Sequence, residues 1–241
     1  MAVPQFLSWA TTHPGAIRTY NEDSFVNRPD VGLWAVADGA GGHEGGGMAS
    51  GLLREALEAI PASLSAAELL AEVRITVERT HETLRNLAKQ QGKGILGAST
   101  IVVLMMRNNH FACLWAGDSR SYLLRDGMLH QITHDHSLVQ ELVDAGAIRR
   151  EDANRHPQGN VITRAVGADL DEFVLDKASD RTQPGDRFLL CTDGLYKSLQ
   201  EPEIANLLAE DSSVPVTQAM IAAALAMNAS DNVTAVAVAV N

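Results

Sequence analysis

Two apolar runs in the sequence end in the same Asp-Gly turn. Residues 34–37 lead to Asp38-Gly39 and a glycine-rich stretch that closes at His43, and residues 188–192 lead to Asp193-Gly194. A buried strand that ends this way delivers a carboxylate and an exposed backbone carbonyl to one point. Such oxygen ligands suit a hard divalent cation such as Mg²⁺ or Mn²⁺. The repetition favours one shared metal site over two unrelated turns.

Length and charge limit the class of protein. The 241 residues are 46% hydrophobic and no linker rich in Pro, Ser or Gly divides them, so we expect a single domain over residues 1–241. The net charge of −11 argues against non-specific binding to nucleic acid or to an anionic membrane. No apolar segment reaches about 18 residues, and the first residues lack the features of a signal peptide. These observations predict a soluble, cytoplasmic protein in which Cys113 and Cys191 are core residues.

The spacing of apolar residues predicts an α+β protein. Residues 234–240 are almost wholly apolar, which indicates a strand covered on both faces, and Asp126-Gly127 indicates the tip of a hairpin. Consecutive strands with short turns between residues 99 and 132 predict antiparallel sheets, with helices on either side. The predicted strands are 5–11, 32–37, 99–106, 110–116, 119–125, 186–191 and 233–240, and the predicted helices are 45–60, 66–91, 137–145, 202–210 and 215–228.

Five aspartates stand beside small or flexible residues at the ends of predicted strands or turns. Each one alone is typical of a turn or a helix cap. Together they suggest another interpretation, because carboxylates that converge on one sheet edge repel each other unless cations neutralise them. The five are Asp23, Asp38, Asp118, Asp193 and Asp231.

Arg18 precedes the first of these aspartates in the sequence. A guanidinium beside a carboxylate-bound metal pair is well matched to a phosphate dianion, which it can hold with two parallel hydrogen bonds. The alternative is a surface arginine or a salt bridge with Glu22 or Asp23. The residue types alone leave both interpretations open.

Eight stretches of the chain resemble, in order, the motifs of the metal-dependent Ser/Thr protein phosphatases of the PP2C (PPM) family, in their compact bacterial form. They span nearly the whole chain, so the resemblance is far more specific than one Asp-Gly turn. The stretches are RTYNED (18–23), VADGAGGH (36–43), GAST (97–100), AGDSR (116–120), DHS (135–137), NVITRAVG (160–167), LLCTDGL (189–195) and SDNVT (230–234).

The resemblance implies a four-layer αββα sandwich, in which two antiparallel sheets pack face to face between helices, and a mobile flap at about residues 138–160. It also implies two divalent ions, Mn²⁺ or Mg²⁺, and a third that is bound more weakly. In the implied centre Asp38 bridges two ions, and Asp193 and Asp231 complete the ligands of the first. The Gly39 carbonyl binds the second ion, on which Asp23 acts through water, and Glu22 is a further contributor. Asp118 holds the third ion together with Asp193, and Arg18 holds the substrate phosphate.

The sequence departs from some family members directly after the first Asp-Gly. Those members have a histidine there that can protonate the leaving group, whereas this chain has Ala40. The nearest imidazole is that of His43, and three roles remain open for it: protonating the leaving alkoxide, positioning the substrate, or capping the following helix. A pKa near 6.5 is compatible with acid catalysis at neutral pH.

The function implied by this resemblance is hydrolysis of phosphoserine and phosphothreonine in proteins by a metal-activated water, without a phosphoenzyme. The implied partners are phosphorylated proteins, with a Ser/Thr kinase and its targets as the natural candidates, and we expect a monomer. Two alternatives are a catalytically silent module that binds phosphoproteins, and a phosphatase that acts on a small phosphometabolite.

Overall fold

The computed structural model describes residues 6–41, 45–92, 97–153, 156–169, 172–210 and 214–241. Within them the chain forms eleven strands and seven helices. The strands are β1 (Phe6–His13), β2 (Asp23–Arg28), β3 (Leu33–Ala40), β4 (Ala98–Ser99), β5 (Ile101–Arg107), β6 (His110–Ala116), β7 (Arg120–Arg125), β8 (Met128–Gln131), β9 (Asp176–Arg181), β10 (Arg187–Cys191) and β11 (Val233–Val240). The helices are α1 (Gly45–Glu58), α2 (Ala66–Gln90), α3 (Leu138–Asp144), α4 (Arg150–Ala153), α5 (Asp193–Tyr196), α6 (Glu201–Ala209) and α7 (Val216–Ala226).

The strands form two sheets in which every pairing is antiparallel. The first sheet has the order β1-β11-β10-β7-β8. The second has the order β2-β3-β5-β6-β9, and β4 pairs with β3 beside this path. The antiparallel sheets predicted from the short turns are therefore confirmed.

Alternating side chains on the strands build three apolar layers. On β3, Trp34 and Val36 pack between the two sheets, against Phe188 and Leu190 of β10. Leu33, Ala35 and Ala37 alternate with these residues along the strand, face the opposite way and pack with residues of α1 and α2. In the same way, the outer face of the first sheet packs with residues of α5, α6 and α7. Because successive side chains of a strand point to opposite faces, this alternation produces the four-layer αββα sandwich, and that prediction is confirmed.

Local signals account for several elements. Ser65 caps the N-terminus of α2 with a capping box, in which the Ser65 backbone N–H donates to Glu68 Oε2 at 2.9 Å. Asp126 and Gly127 have positive φ values of 53° and 75°, as a tight hairpin turn requires. β11 is buried along almost its whole length, and the side chains of Cys113 and Cys191 are fully buried, as predicted. No helix among the described residues has the length and apolarity needed to span a membrane.

The sequence analysis missed β2, β9 and the short helices α4 and α5. β9 has the sequence DKASDR and lies at the edge of its sheet, where its side chains are largely exposed. β2, with the sequence DSFVNR, is also an edge strand. Edge strands need few apolar residues and often carry charges that discourage further pairing, so the apolar pattern that reveals central strands is weak in both.

Candidate metal centre

The layer between the two sheets changes from apolar to polar at one end of the sandwich. On β3, the apolar Trp34 and Val36 are followed on the same face by Asp38. On β10, the apolar Phe188 and Leu190 are followed at the same spacing by Thr192. The same period of two that builds the core therefore also delivers polar side chains to its end.

Asp23 is held at this end by hydrogen bonds from the opposite sheet. The pairing of β2 with β3 places it directly opposite Asp38. Its Oδ2 accepts hydrogen bonds from Thr192 Oγ1 at 2.8 Å and from Thr234 Oγ1 at 2.6 Å, whereas its Oδ1 has no hydrogen-bond partner. The carboxylate thus links the two sheets and leaves one oxygen free. The sequence analysis identified Asp23 but not the two threonines, whose signal was their place in the alternation of β10 and β11.

Asp38 is fixed through its backbone. Its N–H donates to Thr100 Oγ1 at 3.0 Å, and the Thr100 N–H donates to the Asp38 carbonyl at 2.9 Å. Burial raises the pKa of Asp38 well above its usual value, and the negative charges of Asp23, Asp193 and other aspartates raise it further. The pKa of Asp38 is therefore raised by the charges of all four other aspartates of the cluster.

Asp118 is buried near it and Asp193 is half-buried, and each has one unpartnered oxygen. Asp118 is 3% exposed, and burial followed by the charge of Asp193 raises its pKa to about 7. Tyr196, one turn beyond Asp193, donates from its hydroxyl to the Asp118 carbonyl at 3.0 Å. The Oδ1 atoms of both carboxylates lack a hydrogen-bond partner.

The unpartnered oxygens point to what this cluster can bind. Six buried side-chain N or O atoms of the described residues have no hydrogen-bond partner, and three of them are the Oδ1 atoms of Asp23, Asp118 and Asp193. Buried polar atoms are normally satisfied, and carboxylate oxygens are the ligands preferred by Mg²⁺ and Mn²⁺. The donor set therefore fits divalent cations.

Asp231 completes the cluster and is paired with Arg18. The Arg18 Nη2 atom lies 2.9 Å from Asp231 Oδ2, and the two side chains are 55% and 39% exposed. The partner of Arg18 is thus Asp231 rather than Glu22 or Asp23. The next residue, Asn232, anchors the surrounding loop, because its side chain accepts from the Glu22 N–H and donates to the Tyr20 carbonyl.

Lys197 supplies a second positive charge within the cluster. Its Nζ lies 2.6 Å from Asp193 Oδ2 and 2.7 Å from Asn160 Oδ1. Burial lowers the pKa of Lys197, but the charges of Asp193, Asp118 and Asp38 outweigh this effect and raise it overall. Lys197 is therefore charged, and it is a functional candidate that the sequence analysis missed.

The five carboxylates lie in one region without closing around a single point. In the described part of the chain, no three His, Cys, Asp or Glu side chains surround one point closely enough to hold an ion together. The five predicted aspartates nevertheless lie in one region, since Asp38 interacts electrostatically with all four others. Arg18 and Lys197 pair with Asp231 and Asp193, and among the described residues Asp38, Asp23 and Asp118 form no ion pair.

Close backbone contacts fix the two Asp-Gly turns. A Cβ at Gly39 would lie 2.3 Å from the Gly46 carbonyl oxygen in the first turn of α1, and a Cβ at Gly194 would lie 2.0 Å from the Asn232 carbonyl oxygen. No other residue fits at either point without moving the backbone. The glycines therefore let α1 approach Asp38 and let Asp193 approach Asp231.

Three other predicted features remain. His43 lies outside the described residues. In the flap, residues 138–160, the described part contains α3 and α4 and makes the contact between Asn160 and Lys197. Glu22 turns its carboxylate toward α1, where its Oε1 accepts from the Gly47 N–H at 3.3 Å.

The buried Asp23 carboxyl predicts a pH-dependent stability of the metal-free protein. Burial raises its pKa to about 7, so the folded state binds a proton that the unfolded state releases near pH 4. Unfolding free energy should therefore rise as pH falls from 8 to 5.5. Asp23→Asn removes this contribution, so we expect the variant to be more stable than the wild type at pH 8, on the order of 2 kcal/mol, with the advantage shrinking at pH 5.5.

Urea unfolding in the presence of EDTA at the two pH values measures this difference. The comparison with the variant cancels the titration of groups that do not interact with Asp23. A difference that does not change with pH would mean that Asp23 is ionised in the metal-free fold.

Comparisons with known proteins agree with this site. The sequence profile described as Protein phosphatase 2C matches residues 18–230. The serine/threonine phosphatase stp of Listeria monocytogenes is 36% identical over 82% of this chain and 81% of that protein.

Solved structures give the same result. PppA of Pseudomonas aeruginosa has a TM-score of 0.90 at 39% identity, with 98% of both chains covered. The catalytic domain of the serine threonine protein phosphatase PstP, solved in complex with two manganese ions, has a TM-score of 0.87 at 32% identity, again with 98% of both chains covered. The resemblance seen in the sequence motifs is confirmed, and the chain belongs to the protein phosphatase 2C family.

Proposed function

We propose that this chain is a metal-dependent protein phosphatase that hydrolyses phosphoserine and phosphothreonine in proteins. The observation that carries the proposal is the group of five aspartates at the end of the sandwich, three of which keep a buried oxygen without a hydrogen-bond partner. Membership of the protein phosphatase 2C family supports the same reaction.

The proposed ligands are the residues predicted from the sequence. Mn²⁺ or Mg²⁺ bound here would neutralise the carboxylates and lower the pKa of a bound water. The manganese-bound PstP domain supports this choice of metal. Asp38, the Gly39 carbonyl, Asp193 and Asp231 would hold two ions, Asp118 would hold a third with Asp193, and Asp23 would act through water.

Arg18 is placed to bind the substrate phosphate. Its guanidinium is half exposed at the edge of the centre, and its pairing with Asp231 keeps it oriented there before substrate arrives. A phosphate dianion offers two oxygens to the same planar group and gives stronger, charge-assisted hydrogen bonds. The chain thus presents a phosphate-binding cation beside the carboxylates.

We expect Arg18→Ala to raise KM for a phosphothreonine peptide by about tenfold to a hundredfold, with a smaller effect on kcat. The reason is the loss of two charge-assisted contacts to the phosphate. Arg54→Ala is a matched control, because it breaks an exposed pair with Glu55 in α1. An unchanged KM in Arg18→Ala would mean that Arg18 only pairs with Asp231.

His43 is the proposed general acid for the leaving serine or threonine oxygen. Its place in the sequence supports this role, because it follows Asp38 by five residues and precedes the start of α1 by two. Positioning of the substrate and capping of α1 stay as alternatives. A loss of the acidic-to-neutral pH dependence of kcat in His43→Asn would favour acid catalysis.

One experiment separates the proposed reaction from its two alternatives. Phosphate release from a phosphothreonine peptide and from a set of small phosphometabolites is measured with Mn²⁺, with Mg²⁺ and with EDTA. We expect peptide turnover that requires a metal and exceeds metabolite turnover. Peptide binding without turnover would support a silent binding module, and faster metabolite turnover would support the other alternative.

The remaining predictions concern context. We propose a single domain over residues 1–241, which is supported by the apolar layers that join both sheets and their helices. A Ser/Thr kinase and its targets as partners, a monomeric state and a cytoplasmic location also stay predictions. Size-exclusion chromatography with light scattering checks the monomer directly.

A further inference from the structure

Lys197 lies within the carboxylate cluster and has two fixed contacts. It follows α5 directly, and its backbone N–H donates to the Asp193 carbonyl at 2.9 Å. One turn of helix therefore separates the lysine from the carboxylate that it pairs with. Its Nζ lies 2.6 Å from Asp193 Oδ2, and the side chains of Lys197 and Asp193 are only 27% and 14% exposed.

A second contact holds the ammonium group from the flap side. Nζ lies 2.7 Å from Asn160 Oδ1, so a carboxylate and an amide oxygen share the same donor group. A lysine side chain is flexible and pays an entropic cost to be held in place. Two short contacts from separate segments indicate a defined position rather than a solvated chain end.

The charge of Lys197 acts on Asp118 as well as on Asp193. Asp118 interacts with both Asp193 and Lys197. Asp118 is 3% exposed, and its Oδ1 has no hydrogen-bond partner, as is also true of Asp193 Oδ1. Two interacting carboxylates that each keep a free oxygen can attract a cation, and a tethered positive charge beside them opposes the entry of another.

We propose that Lys197 is a fixed positive charge within the metal centre. Held by Asp193 and Asn160, it weakens the binding of a divalent ion between Asp193 and Asp118. This inference rests on the proposed function, because it concerns the same carboxylates. It adds that the chain itself supplies part of the positive charge that a further metal ion would otherwise provide. Lys197 is thus a positioning residue that sets how many ions the centre holds.

Equilibrium dialysis of the whole chain against Mn²⁺ tests the proposal. Lys197→Gln keeps a hydrogen-bond donor but removes the charge, and we expect it to bind an additional Mn²⁺ or to bind its weakest ion about tenfold more tightly. Lys197→Met, a second neutral side chain of similar length, should give the same result. Lys197→Arg keeps the charge and should match the wild type.

Lys177→Gln is the matched control, because it removes the same charge from an exposed position on β9. The proposal is overturned if the neutral Lys197 variants bind Mn²⁺ as the wild type does, or if the control shifts binding equally. The readout is ion binding, so it is separate from the proposed reaction. Failure to hydrolyse phosphopeptides would refute the function and leave this inference standing, whereas unchanged ion binding would do the reverse.

Discussion

Replacement of Asp38 by asparagine is expected to lower phosphopeptide turnover by more than about a hundredfold. Loss of a group that only supports a metal ligand already costs 10-fold to 100-fold, as a rule, and Asp38 is the proposed bridge between two ions. The same change removes a carboxyl group whose ionisation is opposed by burial and by the charges of four other aspartates. The metal-free variant should therefore be at least as stable as the wild type at pH 8.

This opposition between activity and stability separates loss of a ligand from misfolding. Turnover with Mn²⁺ and urea unfolding in EDTA measure the two quantities. Asp126→Asn is a matched control, because Asp126 lies at a hairpin tip with a positive φ that asparagine also tolerates. Substantial turnover in Asp38→Asn would contradict the assignment of Asp38 as a ligand.

Gly194→Ala is expected to destabilise the protein by roughly 3 kcal/mol or more. The new Cβ would lie 2.0 Å from the Asn232 carbonyl oxygen and 3.3 Å from Val233 Cγ2, and the nearer atom is backbone that cannot rotate away. The strain would push apart the segments that carry Asp193 and Asp231, so we also expect weaker binding of Mn²⁺.

Thermal or urea unfolding measures the stability, and dialysis measures the metal affinity. Gly51→Ala provides the control, since a Cβ at Gly51 meets nothing within 4 Å in the middle of α1. That substitution should raise stability by about 0.5–1 kcal/mol, because alanine favours a helix more than glycine does. A Gly194→Ala variant as stable as the wild type would show that the backbone contact is not tight.

The residues that carry charge at the site could be predicted from sequence, but their partners could not. Asp38 and Asp193 follow apolar strands and precede glycines, and both signals are local. The contacts of Asp23 with Thr192 and Thr234 depend on which distant strands face each other across the two sheets. A period of two places a threonine on a face, and only the packing of the sheets decides what it meets.

The pairs formed by Arg18 and Lys197 show the same limit. The sequence analysis considered carboxylates near Arg18 in the chain, whereas its partner Asp231 lies 213 positions away. Lys197 follows a strong motif, but nothing local distinguishes it from a surface lysine. The edge strand β9 was missed for a related reason, since its six residues include only one apolar side chain and depend on β6 for pairing.

The burial of both cysteines has a consequence for oxidative conditions. Cys113 and Cys191 are fully enclosed by the two sheets and their helices, and burial raises the pKa of each thiol to about 12. Peroxide and alkylating reagents attack thiolates that they can reach. Neither sulfur meets that condition at neutral pH, so we expect neither of these two thiols to link the activity to the surrounding redox state.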